Sequence, residues 1–267
     1  MEEKKVSVLV VGATFFGLGV AIGAGKRAKV IERSIMAGSE FICTYRESRG
    51  FDEALKHEKT LVLKEEFKKR NILGENDKVH IPAMQPVLYN LIKNENIDIS
   101  FSTEFISAVK NGAEYEAELF DVSGYKRTFC KKIVDTTALC ITRPELNVNI
   151  KSKSINALIH SKEDLNKPAD IEGVKFFLGN CNGEVYMKYP LDKNDDIIRA
   201  REKFHKFWQT RPEILKNWSL DAVATEMEII PEPDSKNDEN FLWYPSSAYN
   251  NPLKAFDEGI SLGLRLI

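Results

Sequence analysis

The sequence predicts an α/β fold organised around a parallel sheet, and three observations at its start predict it. Val6-Ser-Val-Leu-Val-Val11 is a short β-branched run, apolar on both faces, as a strand covered by helices on both sides must be. A glycine-bearing turn follows at once, and the small and apolar residues from Phe15 to about Arg27 read as a helix packed on a sheet. Lys29-Val-Ile-Glu32 then supplies a second strand, which closes a βαβ unit.

The remaining elements follow in order. Residues 52–70 are charged and lightly periodic, which predicts a surface helix broken near Thr60, and residues 71–78 form a polar loop. Val79-His-Ile81 reads as a short strand. Pro82 opens a helix running to about Asn94, because proline's missing N–H and fixed φ suit a first helical turn. Residues 97–101 alternate like a strand. Residues 105–110, 115–121 and 125–130, joined at Asn111-Gly112 and Ser123-Gly124, predict a β-meander, and Lys132-Ile-Val-Asp135 a further buried strand.

From about Thr142 the texture changes. A strand near Ile155, a hairpin of residues 174–178 and 185–189 around Asn182-Gly183, and a helix over 195–209 read as a small inserted region. Residues 231–240 form an acidic, proline-containing connector. A strand at 241–244 and a helix opened by Asn251-Pro252, with Leu253, Phe256, Ile260 and Leu264 on one face, close the chain. The reading is therefore a Rossmann-like domain from residues 1–141 and 241–267, with residues 142–240 as a small substrate-side or cap region.

Composition narrows the function. A chain of 267 residues that is 43% hydrophobic can bury a real core unaided by disulfides. Its 38 basic and 40 acidic residues nearly cancel, so there is no basic field for a phosphate backbone, and nucleic acid is not expected as a partner. Cys43, Cys130, Cys140 and Cys181 lack the spacing that closes a tetrahedral metal site, and read as reduced thiols of a cytoplasmic protein. Residues 6–25 are uncharged over about a membrane's thickness. Five glycines interrupt that stretch and its first six residues read as a strand, so a membrane span is not expected.

The turn after the first strand is Gly12-Ala13-Thr14-Phe15-Phe16-Gly17, with Glu32 twenty residues after Gly12. The first glycine lets the strand turn sharply, and the last lets the helix pack tightly on the sheet. The helix N-terminus offers N–H groups and a positive dipole end to a pyrophosphate, and Glu32 is placed to accept from ribose hydroxyls. Thr14 stands where the motif has its middle glycine. Its side chain either moves the phosphates outward or replaces a backbone contact with a hydroxyl contact.

On these residues the chain resembles the FAD-dependent oxidoreductases of the two-domain flavoprotein type. Val30-Ile-Glu32-Arg33-Ser34 with Ala37-Gly38-Ser39 looks like that family's second strand, acid and following loop. Residues 81–90 resemble its next helix, residues 105–109 the adenine-side strand, and Lys132-Ile-Val-Asp-Thr-Thr137-Ala138 the strand ending in Asp-Ala-Thr-Gly. Asn250-Asn251-Pro252-Leu253-Lys-Ala-Phe256 with Gly259 resembles the last helix, whose N-terminus in such proteins faces the flavin. The resemblance implies FAD as cofactor, held by Gly12, Ala13, Thr14, Phe16, Gly17, Glu32, Arg33, Gly38, Ser39, Phe105, Thr137, Asn251, Pro252 and Leu253. It also implies hydride transfer to or from a small organic substrate, with a homo- or hetero-oligomeric partner completing the site. Ala138 replaces a glycine of the family pattern, and the Gly-Asp pair before the last helix is missing from residues 243–249. Those departures favour one rival, a non-catalytic nucleotide-binding or scaffolding subunit; a second rival is an enzyme that uses NAD at the same turn.

Flavin performs its own redox chemistry, so the residues leave the catalytic acid or base unknown. His80 reads as a satisfied structural residue, His205 as part of an aromatic core stripe, and His57 and His160 as surface residues. Arg46 and Arg49, after the Gly38 loop, are candidates for an anion or substrate clamp. Trp243, Tyr244 and Tyr249 either stack near a flavin or pack the terminal helix. No Ser/His/Asp order, HExxH or GxxxxGK[ST] is present, which removes the hydrolase, zinc-protease and P-loop readings.

Overall fold

The computed structural model describes residues 3–162, 166–232 and 237–267. β1 (Glu3–Val11) ends in four buried residues, and Gly12, at φ 99°, turns the chain into α1 (Phe15–Ala24). β2 (Ala28–Ile31) runs parallel to β1, with Val10 opposite Val30, and brings Glu32 to the carboxyl edge of the sheet. A single turn, α2 (Ser39–Ile42), is followed by α3 (Glu58–Lys69), α4 (Met84–Asn94) and β3 (Ile99–Ser100), which pairs in parallel with β2. The meander is β4 (Glu104–Asn111), β5 (Glu114–Asp121) and β6 (Gly124–Asp135).

The inserted region is β7 (Ile150–His160), β8 (Lys175–Leu178), β9 (Glu184–Pro190), α5 (Ile197–Gln209), β10 (Ser219–Val223) and β11 (Glu228–Pro231). Its strands form an antiparallel sheet in the order β10-β7-β9-β8, with β11 also on β7. The chain closes with β12 (Phe241–Trp243) and α6 (Pro252–Arg265). The first sheet is ordered β3-β2-β1-β6-β5-β4, with β12 parallel to the end of β6.

Several expectations are corrected. Residues 132–135 are not a separate strand but the end of β6, one twelve-residue strand. Its first half lies between β1 and β5, and its end between β1 and β12. The burial pattern follows this change: exposure alternates early in β6, and its last three residues are buried. Residues 79–81 form no strand; Val79 makes one bridge to Leu73, and a 3-10 turn over Ile81–Ala83 leads into α4. The helix expected over 52–70 begins only at Glu58 and is unbroken at Thr60. The buried carboxylate of Asp257 on α6 accepts from the Lys56 and His57 amides and the Thr60 hydroxyl, which sets that start. Leu264 is exposed and Leu262 takes its place in the core. β10 and β11, five and four residues long, are too short for periodicity to set them apart from loop in the sequence. The connector over 231–240 lies partly outside the described residues.

α1 and α6 pack at backbone distance. A Cβ on Gly19 would lie 2.1 Å from the Phe256 carbonyl oxygen, and one on Gly23 2.4 Å from that of Ile260. The converse holds on α6, where Gly259 and Gly263 meet the Phe16 and Val20 carbonyls at 2.2 and 2.3 Å. Two interlocked Gly-x-x-x-Gly pairs thus build this seam, and it fixes where the N-terminus of α1 points.

Candidate functional site

The turn at the head of α1 is a closed hydrogen-bond network. The Thr14 hydroxyl caps α1, accepting from the Gly17 amide at 2.9 Å and donating to Thr136 at 2.7 Å. The Thr136 hydroxyl in turn lies 3.0 and 3.1 Å from the Val11 and Gly12 carbonyl oxygens. The Ala13 amide donates to Glu32 Oε2 at 2.9 Å, the Phe15 amide to Glu40 Oε1 at 2.8 Å, and the Phe16 amide to Ser246 Oγ at 3.2 Å. The expectation that these amides are free for a pyrophosphate is therefore corrected, since side chains occupy them. Of the two readings of Thr14, the structure spends its hydroxyl inward on the cap.

Beside this turn, at the carboxyl ends of β1, β2 and β6, lies a cavity of about 410 Å³, within the range of roughly 300–1,000 Å³ usual for small-molecule sites. Gly12, Thr14, Glu32, Glu40 and Ser247 line it, as do Arg33, Thr103, Phe105, Thr137 and Leu139. The inserted region covers it with Ile197, Glu226, Met227 and Ile229. This edge, where the strand order reverses, is where open α/β sheets place ligands.

The cavity is acidic, with three carboxyl groups against the single guanidinium of Arg33. Burial pushes the Glu40 carboxyl up to about 7, against the opposing effects of the Ser246 hydroxyl, the Phe15 amide and Arg46. Burial also raises Glu226, with Arg33 acting against it and Glu32 adding to it. Glu32 accepts from the Ala13 amide through one oxygen and from the Ser34 amide through the other. A carboxylate has about four acceptor sites, so two remain for a ligand's hydroxyls. Asp135 is buried at the end of β6 and accepts from the amides and hydroxyls of Thr137 and Thr142, which holds Thr137 at the rim.

Of the residues expected to hold a cofactor, Gly12, Thr14, Glu32, Arg33, Ser39, Phe105 and Thr137 line the cavity. Ala13, Phe16, Gly17, Gly38, Asn251, Pro252 and Leu253 do not. Asn251 caps α6 by accepting from the Lys254 amide at 2.7 Å, and its side-chain amide donates to the Arg49 and Gly50 carbonyls. Phe16 stacks on Tyr244 and Tyr249 at ring separations of 5.6 and 5.5 Å, so those aromatics pack α1.

The clamp expected of Arg46 and Arg49 is corrected as well. Arg46 is buried, donating to the Ser247 and Tyr249 carbonyls at 2.7 and 2.6 Å and pairing with Glu228 at 3.5 Å. Arg49 is exposed, pairs with Glu47 and lies over the Phe177 ring. Neither lines the cavity. His57, His80 and His160 bond to Ser261, Glu184 and Asp221, and His205 is exposed rather than part of a core stripe. His80, Cys181 and Glu184 gather their ligand-type atoms within 4.8 Å. The group is closed by its own bonds, with Glu184 accepting from the Cys181 amide and the Tyr186 hydroxyl and sharing a 2.7 Å bond with His80. Sequence reasoning missed Glu40, Glu226 and Ser247, which only the fold brings to the cavity.

No protein-family model matches the chain, and no curated protein matches it. Solved structures do match. A geranylgeranyl bacteriochlorophyll reductase-like protein from Thermoplasma acidophilum aligns with TM-score 0.66 at 14% identity, over 99% of this chain and 78% of that one. The p-nitrophenol 4-monooxygenase PnpA from Pseudomonas putida aligns with TM-score 0.62 at 12% identity, over 100% of this chain and 80% of that one. Aklavinone-11 hydroxylase, solved with FAD and aklavinone, aligns with TM-score 0.58 at 13% identity. The chain spans only 61% of that hydroxylase's length. The fold is thus the Rossmann-type fold of FAD-binding flavoproteins. No helix among the described residues is long and apolar enough to cross a membrane.

Proposed function

We propose that this chain is an FAD-dependent oxidoreductase, or the FAD-binding subunit of one, acting on a small organic substrate. The observation that carries the reading is the position of Glu32: its half-used carboxylate lies at the end of β2, beside the Gly12 turn and in the lining of the cavity. FAD there would have its adenosine ribose on Glu32 and its adenine between Arg33, Thr103 and Phe105. Bound flavin would supply the hydride chemistry, and the chain's own residues hold it and exclude water. Ile197, Met227 and Ile229 give the covering side its apolar surface. A partner subunit completing the substrate side belongs to this proposal.

The filled amides of α1 favour a second reading, a nucleotide-binding subunit without catalysis. Flavin absorbance of the purified protein, with mass spectrometry of what co-purifies, tests the first reading, and turnover with a redox dye separates the two. Glu32→Ala should lower flavin retention at least tenfold. Unchanged retention in a variant that still folds would remove Glu32 from the site.

A further inference from the structure

If the cavity takes a dinucleotide, as proposed above, its phosphate oxygens need donors other than the amides of α1, because those are spent. Among the described residues, two buried polar atoms of the cavity-lining residues have no hydrogen-bond partner: Glu40 Oε2 and Ser247 Oγ. Both residues line the cavity. Glu40 Oε1 already accepts from the Phe15 amide at 2.8 Å and the Ser246 hydroxyl at 2.6 Å, which fills its two lone pairs. A proton on this carboxyl therefore belongs on Oε2.

The surroundings favour that proton. Glu32 from the end of β2 and Glu226 from the β10–β11 loop contribute negative charge to the same cavity, and Arg33 alone contributes positive charge within it. Behind Glu40, Cys43 is a thiol pushed up to about 11 by burial. Arg46 favours the ionised form, but its guanidinium is committed to two carbonyls and Glu228. An ionised Oε2 would be a buried charge with no donor, the costliest state for a polar atom.

We propose that Glu40 in its neutral form and Ser247 are the phosphate-oxygen donors of this cavity, so that an anionic dinucleotide binds together with one proton taken from solvent. With the Glu40 carboxyl titrating near 7, binding tightens as pH falls through that value. Above it the competent fraction falls tenfold per pH unit, so at pH 9 the apparent Kd should be about 100-fold above its acid limit.

The test is equilibrium binding of FAD to the full chain, read by flavin fluorescence between pH 5.5 and 9, for the wild type, Glu40→Gln and Ser247→Ala. Glutamine keeps an acceptor for the Phe15 amide and offers an N–H where Oε2 stands. Glu40→Gln should bind as tightly at pH 9 as the wild type does at pH 6, with a flat profile. Ser247→Ala should weaken binding about tenfold at every pH and keep the slope. A flat wild-type profile, or a Glu40→Gln profile that follows the wild type, overturns the inference while leaving FAD binding intact. Failure of both proteins to bind FAD at any pH overturns the nucleotide reading and this inference with it.

Discussion

The flank and the N-terminus of α1 solve opposite problems. Along its flank, Gly19 and Gly23 remove side chains so that α6 can approach to backbone contact, and α6 reciprocates with Gly259 and Gly263. At its N-terminus Thr14 stands where the dinucleotide-binding motif has its middle glycine, and Thr14, Glu32, Glu40 and Ser246 satisfy the amides of the turn. Of the five glycines in residues 12–25, Gly19 and Gly23 are therefore a packing device. A glycine count near a nucleotide turn does not by itself measure phosphate affinity.

Three changes would break or sharpen that comparison. The largest effect is expected on the flank: Gly259→Val would place a Cβ 2.2 Å from the Phe16 carbonyl oxygen, with backbone on both sides and nothing flexible to yield. The loss should exceed ~3 kcal/mol, the top of the usual overpacking range, measured by denaturant unfolding. A loss under ~1 kcal/mol would show that the seam is loose.

At the N-terminus, Glu40 should make stability depend on pH. Its carboxyl is raised by burial from its ordinary 4.5 to about 7 in the folded chain. Its contribution is therefore complete below about pH 4.5 and is lost as pH rises through about 7, by up to about 3 kcal/mol at roughly 1.4 kcal/mol per unit. Glu40→Gln should melt above the wild type at pH 8, and the gap should close by pH 4.5. A gap that does not change with pH would place the carboxyl in water.

The smallest effect is expected from Thr14→Ala. It removes the cap on α1 and the bond to Thr136, and should cost about 1 kcal/mol with little change in ligand affinity. A large loss of affinity would return the Thr14 hydroxyl to the ligand.

Much of the fold was legible from short-range pattern. Residues 8–11 are legible as a buried strand because the run is apolar on both faces and carries no charge, and the meander announced itself through Asn111-Gly112 and Ser123-Gly124. The boundary of α3 was not legible, because Asp257, two hundred residues away, holds the amides that set it. The site divided in the same way. Gly12, Thr14, Glu32 and Arg33 lie within a single βαβ unit at recognisable offsets, whereas Glu40 on the one-turn α2, Glu226 in the β10–β11 loop and Ser247 in a 3-10 turn carry no spacing of their own. For Arg46 and Arg49 the charge was legible and the placement was not: Arg46 is buried on two carbonyls and Glu228, and Arg49 is exposed beside Glu47.

By itself, the order of residues determined the βαβ unit, the meander and the acid at the end of the second strand, since each depends on neighbours a few positions apart. Tertiary structure alone decided that α6 would lock against α1 and that Ser246 and Glu40 would close over the amides of α1. Those contacts join residues 25 to 230 positions apart, and no local propensity encodes which buried carboxyl will meet which helix end.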